Sequence, residues 1–215
     1  MNIGCNFAGL NVNLLAYADD LVLFAPSWRA LQCLLNAVQT AASKIKMTFN
    51  TRKKTVCMVF NLHSRSKYVA DSFTAFTLCG SQLVFVKQFK YLGHITDNTF
   101  SDDSDINREI KNLFTRTNLL CRWLGGLNVA QVLWKLLFRT VCVCLYDIAL
   151  WVNYSVGVFH RLESCYVKCL KTFFGYPKYS SVTGMLLELG IPSFNTMIFS
   201  YNVSFQNRLQ HLTIL

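Results

Sequence analysis

The stretch Tyr17-Ala18-Asp19-Asp20-Leu21-Val22-Leu23-Phe24-Ala25 places two adjacent carboxylates between two apolar runs. An apolar run that begins at Leu10 precedes it, and the polar break at Ala18-Asp19-Asp20 predicts the turn of a β-hairpin. Residues 21–25 are apolar without interruption, which is typical of a strand buried on both faces. This predicted hairpin is the strongest local pattern in the chain.

The pair Asp19 and Asp20 is unfavourable beside buried strands, because two like charges this close repel each other. A divalent cation removes that penalty, and ligation by oxygen alone suits Mg²⁺. Two such ions can activate an attacking hydroxyl and stabilise a leaving pyrophosphate. On these residues alone, a solvated Asp-Asp turn, which is common in hairpins, explains the pattern equally well.

The spacing of apolar residues predicts a first half of mixed helix and strand. Ser27 is a plausible N-cap, and apolar residues at three- and four-residue spacing from Leu31 to Ile45 predict a helix of about 18 residues. Thr55 to Phe60 reads as a short strand. Residues 83–86 and 89–92 are predicted to face each other as strands across Lys87-Gln88.

From Ser101 the apolar period becomes helical. Asp102, Asp103 and Asp105 precede an apolar stripe that runs from Ile106 to Leu124, at the helix end where the dipole favours acids. Gly125-Gly126 is predicted to end this helix. Further helices are predicted over 129–151, 158–174, 181–189 and 194–212. The predicted secondary structure therefore changes from mixed α and β to all helix near residue 100, which divides the chain into predicted domains 1–100 and 101–215.

The net charge of +10 comes from 21 Lys and Arg against 11 Asp and Glu, and it is unevenly distributed. Residues 29–90 carry ten bases against Asp71 alone, and residues 106–178 carry ten bases against three acids. Residues 91–105, between these regions, carry four Asp and no base. A charge of this sign indicates a polyanionic partner, either nucleic acid or an acidic membrane surface.

Cysteine usage and hydropathy bear on the compartment. The nine Cys form no regular ladder and no signal peptide is visible, so reduced thiols in an intracellular protein of the nucleus or cytoplasm are expected, not a secreted one. Cys142-x-Cys144 and Cys165-x3-Cys169 lack zinc-finger spacing and are predicted to be core residues. Lys135, Arg139 and Asp147 interrupt the apolar run 132–151, so no membrane span is predicted.

Residues 17–25 resemble the catalytic hairpin of reverse transcriptases, in the form found in non-LTR (LINE-type) retrotransposons. The resemblance continues in order along nearly the whole chain, and several ordered motifs are far more specific than one Tyr-Ala-Asp-Asp tetrapeptide. The other similar segments are Gly4-Cys5, Leu14-Leu15, Phe49-Asn50 with Lys53-Lys54-Thr55, Phe89-Lys90-Tyr91-Leu92-Gly93, Arg161-Leu162-Glu163 and Leu187-Glu188-Leu189-Gly190-Ile191-Pro192-Ser193.

This resemblance implies an α+β fold: a partial polymerase palm, made of the Tyr-Ala-Asp-Asp hairpin, a packed helix and a primer-grip hairpin, followed by an all-helical thumb-like domain. It makes Asp19 and Asp20 the catalytic ligands of Mg²⁺ and places Tyr17 under the primer terminus. Lys53 or Lys54 would lie near the leaving pyrophosphate; one extra residue between Asn50 and Thr55 leaves the choice open, and a solvated turn is the alternative. The primer-grip residues would be Phe89, Lys90, Tyr91, Leu92 and Gly93, with ordinary hairpin packing as the alternative.

The activity implied is that of an RNA-directed DNA polymerase, a nucleotidyltransferase that uses an RNA template, a DNA primer and deoxynucleoside triphosphates. Such chemistry needs a further metal-binding Asp upstream, yet only 18 residues precede Asp19 and none is acidic. We therefore expect a truncated polymerase, the C-terminal part of a palm plus a thumb, that is inactive alone. The alternative is a non-catalytic nucleic-acid-binding remnant of a truncated element.

Overall fold

The computed structural model describes residues 3–7, 9–51, 54–60, 74–124, 131–145 and 147–212. Its contacts divide the chain into two compact units, Met1–Lys87 and Gln88–Leu215. The first unit combines short strands with one helix, and the second combines one hairpin with helices. The α+β class expected from the sequence is therefore confirmed.

The unit Met1–Lys87 is built from two-stranded sheets and one long helix. Strands β1 and β2, β3 and β4, and β6 and β7 pair antiparallel, whereas β5 and β8 pair parallel. The elements in chain order are β1 (Cys5–Phe7), β2 (Leu10–Val12), β3 (Leu14–Tyr17), β4 (Asp20–Leu23), α1 (Trp28–Lys44), β5 (Val56–Cys57), β6 (Thr77–Leu78), β7 (Ser81–Gln82) and β8 (Val84–Phe85).

Helix α1 begins where the sequence predicts it. The Ser27 hydroxyl accepts a hydrogen bond from the Ala30 N–H at 3.3 Å, which satisfies one of the free donors of the first turn. The apolar stripe packs on a small core of Leu35, Cys57, Phe76, Leu78 and Leu83. The Gln32 amide also pairs with both backbone groups of Thr77, at 2.9 and 3.1 Å, so a helix side chain replaces a neighbouring strand at that edge.

Two predictions for the strands are wrong. Residues of β4 are exposed or half-buried, not buried on both faces, because β3 and β4 form a two-stranded sheet that no third described strand joins. The predicted pairing of 83–86 with 89–92 is also absent. Leu92 and Gly93 both adopt positive φ, which is the geometry of a two-residue hairpin turn, so the second hairpin folds about residues 92–93.

The unit Gln88–Leu215 has a core formed by the facing sides of its helices. Twenty buried apolar residues among those that the structure describes form one cluster in this unit, with α2 packed along α4. The elements are β9 (Gln88–Tyr91), β10 (His94–Asp97), α2 (Asp103–Leu124), α3 (Gln131–Leu137), a π-helical turn (Phe138–Cys142), a 3-10 turn (Ile148–Leu150), α4 (Val156–Phe174), α5 (Val182–Leu189) and α6 (Phe194–Leu212).

The ends of the helices follow ordinary capping chemistry. Ser155 and Ser181 accept hydrogen bonds from the first turns of α4 and α5, and Gly175 and Gly190 end the same helices with positive φ. The predicted helices 158–174, 181–189 and 194–212 are confirmed to within two residues. The predicted helix end at Gly125-Gly126 lies outside the described residues.

The predicted continuous helix over 129–151 is wrong. Helix α3 passes into a π-helical turn at Phe138, residues 143–145 are irregular, and a 3-10 turn follows Asp147. Asp147 is buried and its carboxylate binds Arg108 of α2, so this segment is shaped by a partner 39 residues away. The spacing of apolar residues within 129–151 gives no information about that partner, because Arg108 lies outside the segment.

The β9–β10 hairpin belongs to the helical unit. Strand β10 packs on α2, and the compact units divide between Lys87 and Gln88, not near residue 100. The assignment of 1–100 to a palm and 101–215 to a thumb concerns function, and it stays a prediction.

All nine cysteines are free thiols. Cys142, Cys165 and Cys169 are buried as predicted, whereas Cys144 is exposed, so the prediction that it is a core residue is wrong. No single helix among the described residues has both the length and the apolar character to cross a membrane, although α5 and α6 would pass on these two criteria as a pair bent by 55°.

Substitution of Leu113 by Ala should lower the free energy of unfolding by about 3 kcal/mol, because Leu113 is fully buried in α2 and its removal leaves a cavity. Leu119→Ala in the same helix is the matched control, since Leu119 is 41% exposed and should cost less than about 1 kcal/mol. Urea denaturation followed by circular dichroism measures both. Equal losses for the two variants would contradict the assignment of the core face of α2.

Candidate functional site

The tip of the β3–β4 hairpin presents Asp19 and Asp20. Tyr17 pairs with Asp20 in the strand register, which leaves Ala18 and Asp19 as the two-residue turn. Ala18 adopts a φ of +52°, a conformation that is uncommon for a residue with a Cβ. Both carboxylates and the Tyr17 side chain are exposed, so the predicted catalytic residues lie together at a solvent-facing turn.

The carboxylates of this turn form no ion pair with the bases that the structure describes. No ion pair joins Asp19 or Asp20 to another described residue. These two are also the only acidic residues among the described part of Met1–Lys87, because Asp71 lies outside it. The turn is therefore a local concentration of negative charge in a basic chain.

Of the two predicted lysines, the structure describes only Lys54. Lys53 lies outside the described residues, and Lys54 is exposed in the loop that follows α1. The Thr55 hydroxyl and N–H both donate to the Asn50 carbonyl, at 3.0 and 3.2 Å. Among the described residues no ion pair joins Lys54 to Asp19 or Asp20.

The predicted primer-grip residues occupy β9 and its turn. Phe89, Lys90 and Leu92 are exposed, and Tyr91 is half-buried. Gly93 has a φ of +96° at the second turn position, where its lack of a Cβ permits the reversal. One hairpin thus presents an aromatic, a basic and an aliphatic side chain to solvent.

Sequence reasoning did not single out the most elaborate polar arrangement in the chain. His94 of β10 lies with its Nδ1 3.1 Å from Asp105 Oδ2 and 3.6 Å from Asp147 Oδ2. Arg108 donates from Nε to Asp105 at 2.8 Å and from Nη2 to Asp147 at 2.5 Å, and its Nη1 lies 2.6 Å from Glu109. We refer to these five side chains as the buried ion network.

The buried ion network is close to electrically balanced. Its three carboxylates, on Asp105, Glu109 and Asp147, are almost inaccessible to solvent. The facing cations are Arg108, His94 in its protonated form, and Arg116, whose Nη1 lies 3.4 Å from Glu109. Balanced charge of this kind is what permits carboxylates to remain ionised away from water.

The pKa values of the network follow from these contacts. Hydrogen bonding to Asp105 and then Asp147 raises the pKa of His94 to about 9, against the opposing effect of burial. Burial alone would raise the pKa of Asp105, but donors from His94, Arg108, Ile95 and Trp151 outweigh it and hold that pKa well below its usual range. At neutral pH the imidazole is therefore a cation and the carboxylate an anion.

Three members of the network also form a possible metal-binding group. One ligand atom each from His94, Asp105 and Asp147 lie within 4.8 Å of one another. The guanidinium of Arg108, however, already donates to both carboxylates and occupies the place of a cation between them. A divalent ion at this point would lie beside the Arg108 guanidinium and would have to displace the His94 proton, so the contacts favour an ion-pair network over a metal centre.

Acids near the start of α2 also bind backbone groups. The Asp102 carboxylate accepts from the N–H groups of Val152 and Asn153, both at 2.8 Å, and Asp103 accepts from Ser155 N–H at 2.7 Å. The sequence predicted these acids only as partners of the helix dipole. The one sequence signal that could have indicated the network is Asp147, an acid within an otherwise apolar run.

The free energy of unfolding should fall as pH rises from about 6.5 to about 9, because native His94 keeps a proton that the unfolded chain loses. This stabilisation is complete below the unfolded pKa near 6.5 and is lost as pH rises through about 9. Urea denaturation at a series of pH values measures the slope.

In this experiment His94→Gln should flatten the plot of unfolding free energy against pH. His160→Gln, at an exposed position, should leave the slope of that plot unchanged. Burial raises the pKa of the Cys57 and Cys142 thiols to about 11, which adds a further loss at higher pH, so the comparison belongs between about pH 6.5 and 8.5. Parallel curves for wild type and His94→Gln would contradict the charged state assigned to His94.

Comparison with known proteins bears on the first part of the chain. No curated protein matches the chain. A family model described as reverse transcriptase (RNA-dependent DNA polymerase) matches residues 3–96, which is less than half of the 215 residues. The matched segment contains both the Asp19-Asp20 turn and the 92–93 turn, and α2 and all later helices lie outside it. Residues 3–96 of this chain are therefore similar to the reverse transcriptase family.

Proposed function

We propose that the chain is the C-terminal palm and thumb portion of the reverse transcriptase of a non-LTR retrotransposon, and that it binds an RNA template with its DNA primer. The observation that carries the proposal is the family match over 3–96 together with the solvent-facing Asp19-Asp20 turn inside it. Nucleic acid is intracellular, so we place the protein in the nucleus or cytoplasm.

Exposed side chains of the described residues support binding to nucleic acid. The β9–β10 hairpin exposes Phe89 on one face and Lys90 on the other, and Lys178 lies 5.4 Å from the centre of the exposed Tyr179 ring. Bases stack on aromatic rings while nearby cations neutralise phosphates. The net charge of +10 supplies the long-range attraction.

The exposed faces of β3 and β4 support a place in a larger palm. All four residues of β3 are exposed, including Leu14 and Leu15, and the two strands form a sheet by themselves. A two-stranded hairpin is marginally stable in water, and apolar side chains of this kind normally pack on further strands. We propose that other palm strands cover this hairpin in the active polymerase.

The residues at the turn fit only part of a catalytic metal site. Mg²⁺ bound there would activate the primer hydroxyl and neutralise the leaving pyrophosphate of an incoming deoxynucleoside triphosphate. Asp19 and Asp20 are suitable oxygen ligands, but a two-ion site needs a further carboxylate, and no other described residue of Met1–Lys87 supplies one. In the proposal Asp19 and Asp20 hold Mg²⁺ together with a carboxylate from another segment, and Lys53 or Lys54 lies near the pyrophosphate.

The presence of only two carboxylates among the described residues of Met1–Lys87 favours a second candidate function. A chain with two carboxylates, a basic surface and exposed aromatic residues can bind nucleic acid without catalysing transfer. This candidate is a non-catalytic binding protein derived from a retrotransposon. The two candidates differ in whether polymerisation appears when the additional carboxylate is supplied.

Binding of the chain to an RNA–DNA primer–template should weaken steeply as salt is raised, because association releases counterions from the phosphates. Lys90→Ala should reduce the slope of log affinity against log salt by about 1 if this lysine contacts a phosphate. Fluorescence anisotropy with a labelled duplex measures both. Glu188→Gln, at an exposed acid of α5, is the control and should keep the wild-type slope; binding that does not depend on salt would contradict the proposal.

The chain alone should not extend a primed RNA template in the presence of Mg²⁺ and deoxynucleoside triphosphates. Extension should appear when a polypeptide that carries the upstream palm strands is added, and Asp19→Ala should then abolish it. Denaturing gel electrophoresis of labelled primers measures the product. Extension by the chain alone that Asp19→Ala abolishes would overturn the inactivity, and no extension in the presence of the added segment would favour the binding protein.

A further inference from the structure

The β9–β10 hairpin is tied to α2 at both of its ends. Next to the turn, the imidazole of His94 contacts Asp105, and the Ile95 N–H donates to the same carboxylate at 2.8 Å. At the open end, the Gln88 amide donates to Ser104 Oγ at 2.7 Å and to Asp97 at 2.9 Å. The hairpin is thereby fixed in both position and rotation on the first turn of the helix.

Asp105 is the residue through which these contacts converge. Its side chain is fully buried and accepts from Ile95 of the hairpin, Arg108 of α2 and the indole N–H of Trp151 at 2.9 Å. Arg108 extends the connection to Asp147. One carboxylate therefore joins the hairpin, α2 and the segment that precedes α4.

The strand register determines what the fixed hairpin presents to solvent. His94 lies opposite Tyr91, and Lys90 lies opposite Ile95. Because side chains alternate between the two faces, Lys90 lies on the face away from His94, and it is exposed. The position of Lys90 in space consequently depends on how His94 is held.

We propose that His94, Asp105 and Arg108 are positioning residues, which hold the β9–β10 hairpin so that Lys90 contacts a bound primer–template strand; this proposal rests on the function proposed above. A two-stranded hairpin without such contacts samples many orientations. Fixing it in advance removes the entropy cost of ordering it on binding. His94 belongs to the hairpin, Asp105 contacts it from α2, and Arg108 holds Asp105. None of the three is proposed to touch the nucleic acid, so their effect on binding acts through Lys90.

A double-mutant cycle on primer–template affinity tests the proposal. His94→Gln and Lys90→Ala are each expected to weaken binding roughly three- to tenfold, and the double variant should bind no more weakly than His94→Gln alone. This non-additivity is expected because Lys90 has already lost its position when His94 is changed. His160→Gln, at an exposed histidine that pairs with Glu163 on α4, is the matched control and should bind as wild type does.

Readouts without nucleic acid keep the positioning role testable if binding is lost. The backbone amides of 88–97 should be protected from hydrogen exchange in wild type and lose protection in His94→Gln, while the amides of α4 keep theirs. The Trp151 indole proton resonance should move in the same variant, since its acceptor Asp105 loses a neighbouring cation. Ser104→Ala removes only the Gln88 contact, and a smaller loss of protection is expected at the open end.

Three outcomes would overturn the proposal. The first is an additive double-mutant cycle, and the second is unchanged amide protection of 88–97 in His94→Gln. The third is a shift of the Trp151 resonance and tighter protection when Zn²⁺ is added to wild type, which would make His94, Asp105 and Asp147 a metal site. A different result separates this proposal from the proposed function. If wild type binds no primer–template but His94→Gln lowers the amide protection of 88–97, the proposed function is wrong, and so is the positioning role in binding. The contact between hairpin and helix would still stand.

Discussion

The carboxylate of Asp105 has no exposure to solvent, and the architecture of the helical unit depends on its being satisfied there. Removing an ionised carboxylate from water costs several kcal/mol, and here that cost is offset by Arg108, His94, the Trp151 indole and the Ile95 N–H. These donors come from a strand, a helix and an irregular segment. The charge can be buried only when all three come together, so the network selects one arrangement of these elements.

The two units differ in how their elements are held. The helical unit has a continuous apolar core along α2 and α4, whereas the described core of Met1–Lys87 consists of five residues around α1. In the smaller core the amides of Gln32 and Gln39 bind the backbone near β6, which compensates in part for missing strand neighbours. Hydrogen bonds at an exposed edge contribute little net stability, so this unit depends more on whatever covers its strands.

Local signals predicted the elements whose determinants are local. Ser27 and the apolar stripe after it define α1, and Gly175 and Gly190 end α4 and α5. The turn at Asp19 could likewise be predicted, because the polar break lies inside the hairpin itself. The predictions that failed concern segments with distant partners. β8 pairs with β5 some 28 residues earlier, and Asp147, within the predicted helix 129–151, binds Arg108. His94 gave no signal, because its partners lie on α2 and before the 3-10 turn.

Three features of the Asp19-Asp20 turn act against the stability of the unit that contains it. Ala18 adopts a positive φ that costs roughly 1 kcal/mol for a residue with a Cβ. The two carboxylates repel each other without a described ion-pair partner, and the strands that carry them expose Leu14 and Leu15. A cation at the turn would offset the repulsion and further strands would cover Leu14 and Leu15, whereas the positive φ of Ala18 would remain. Under the proposed function these costs are expected, since functional sites retain strain that a purely structural position loses.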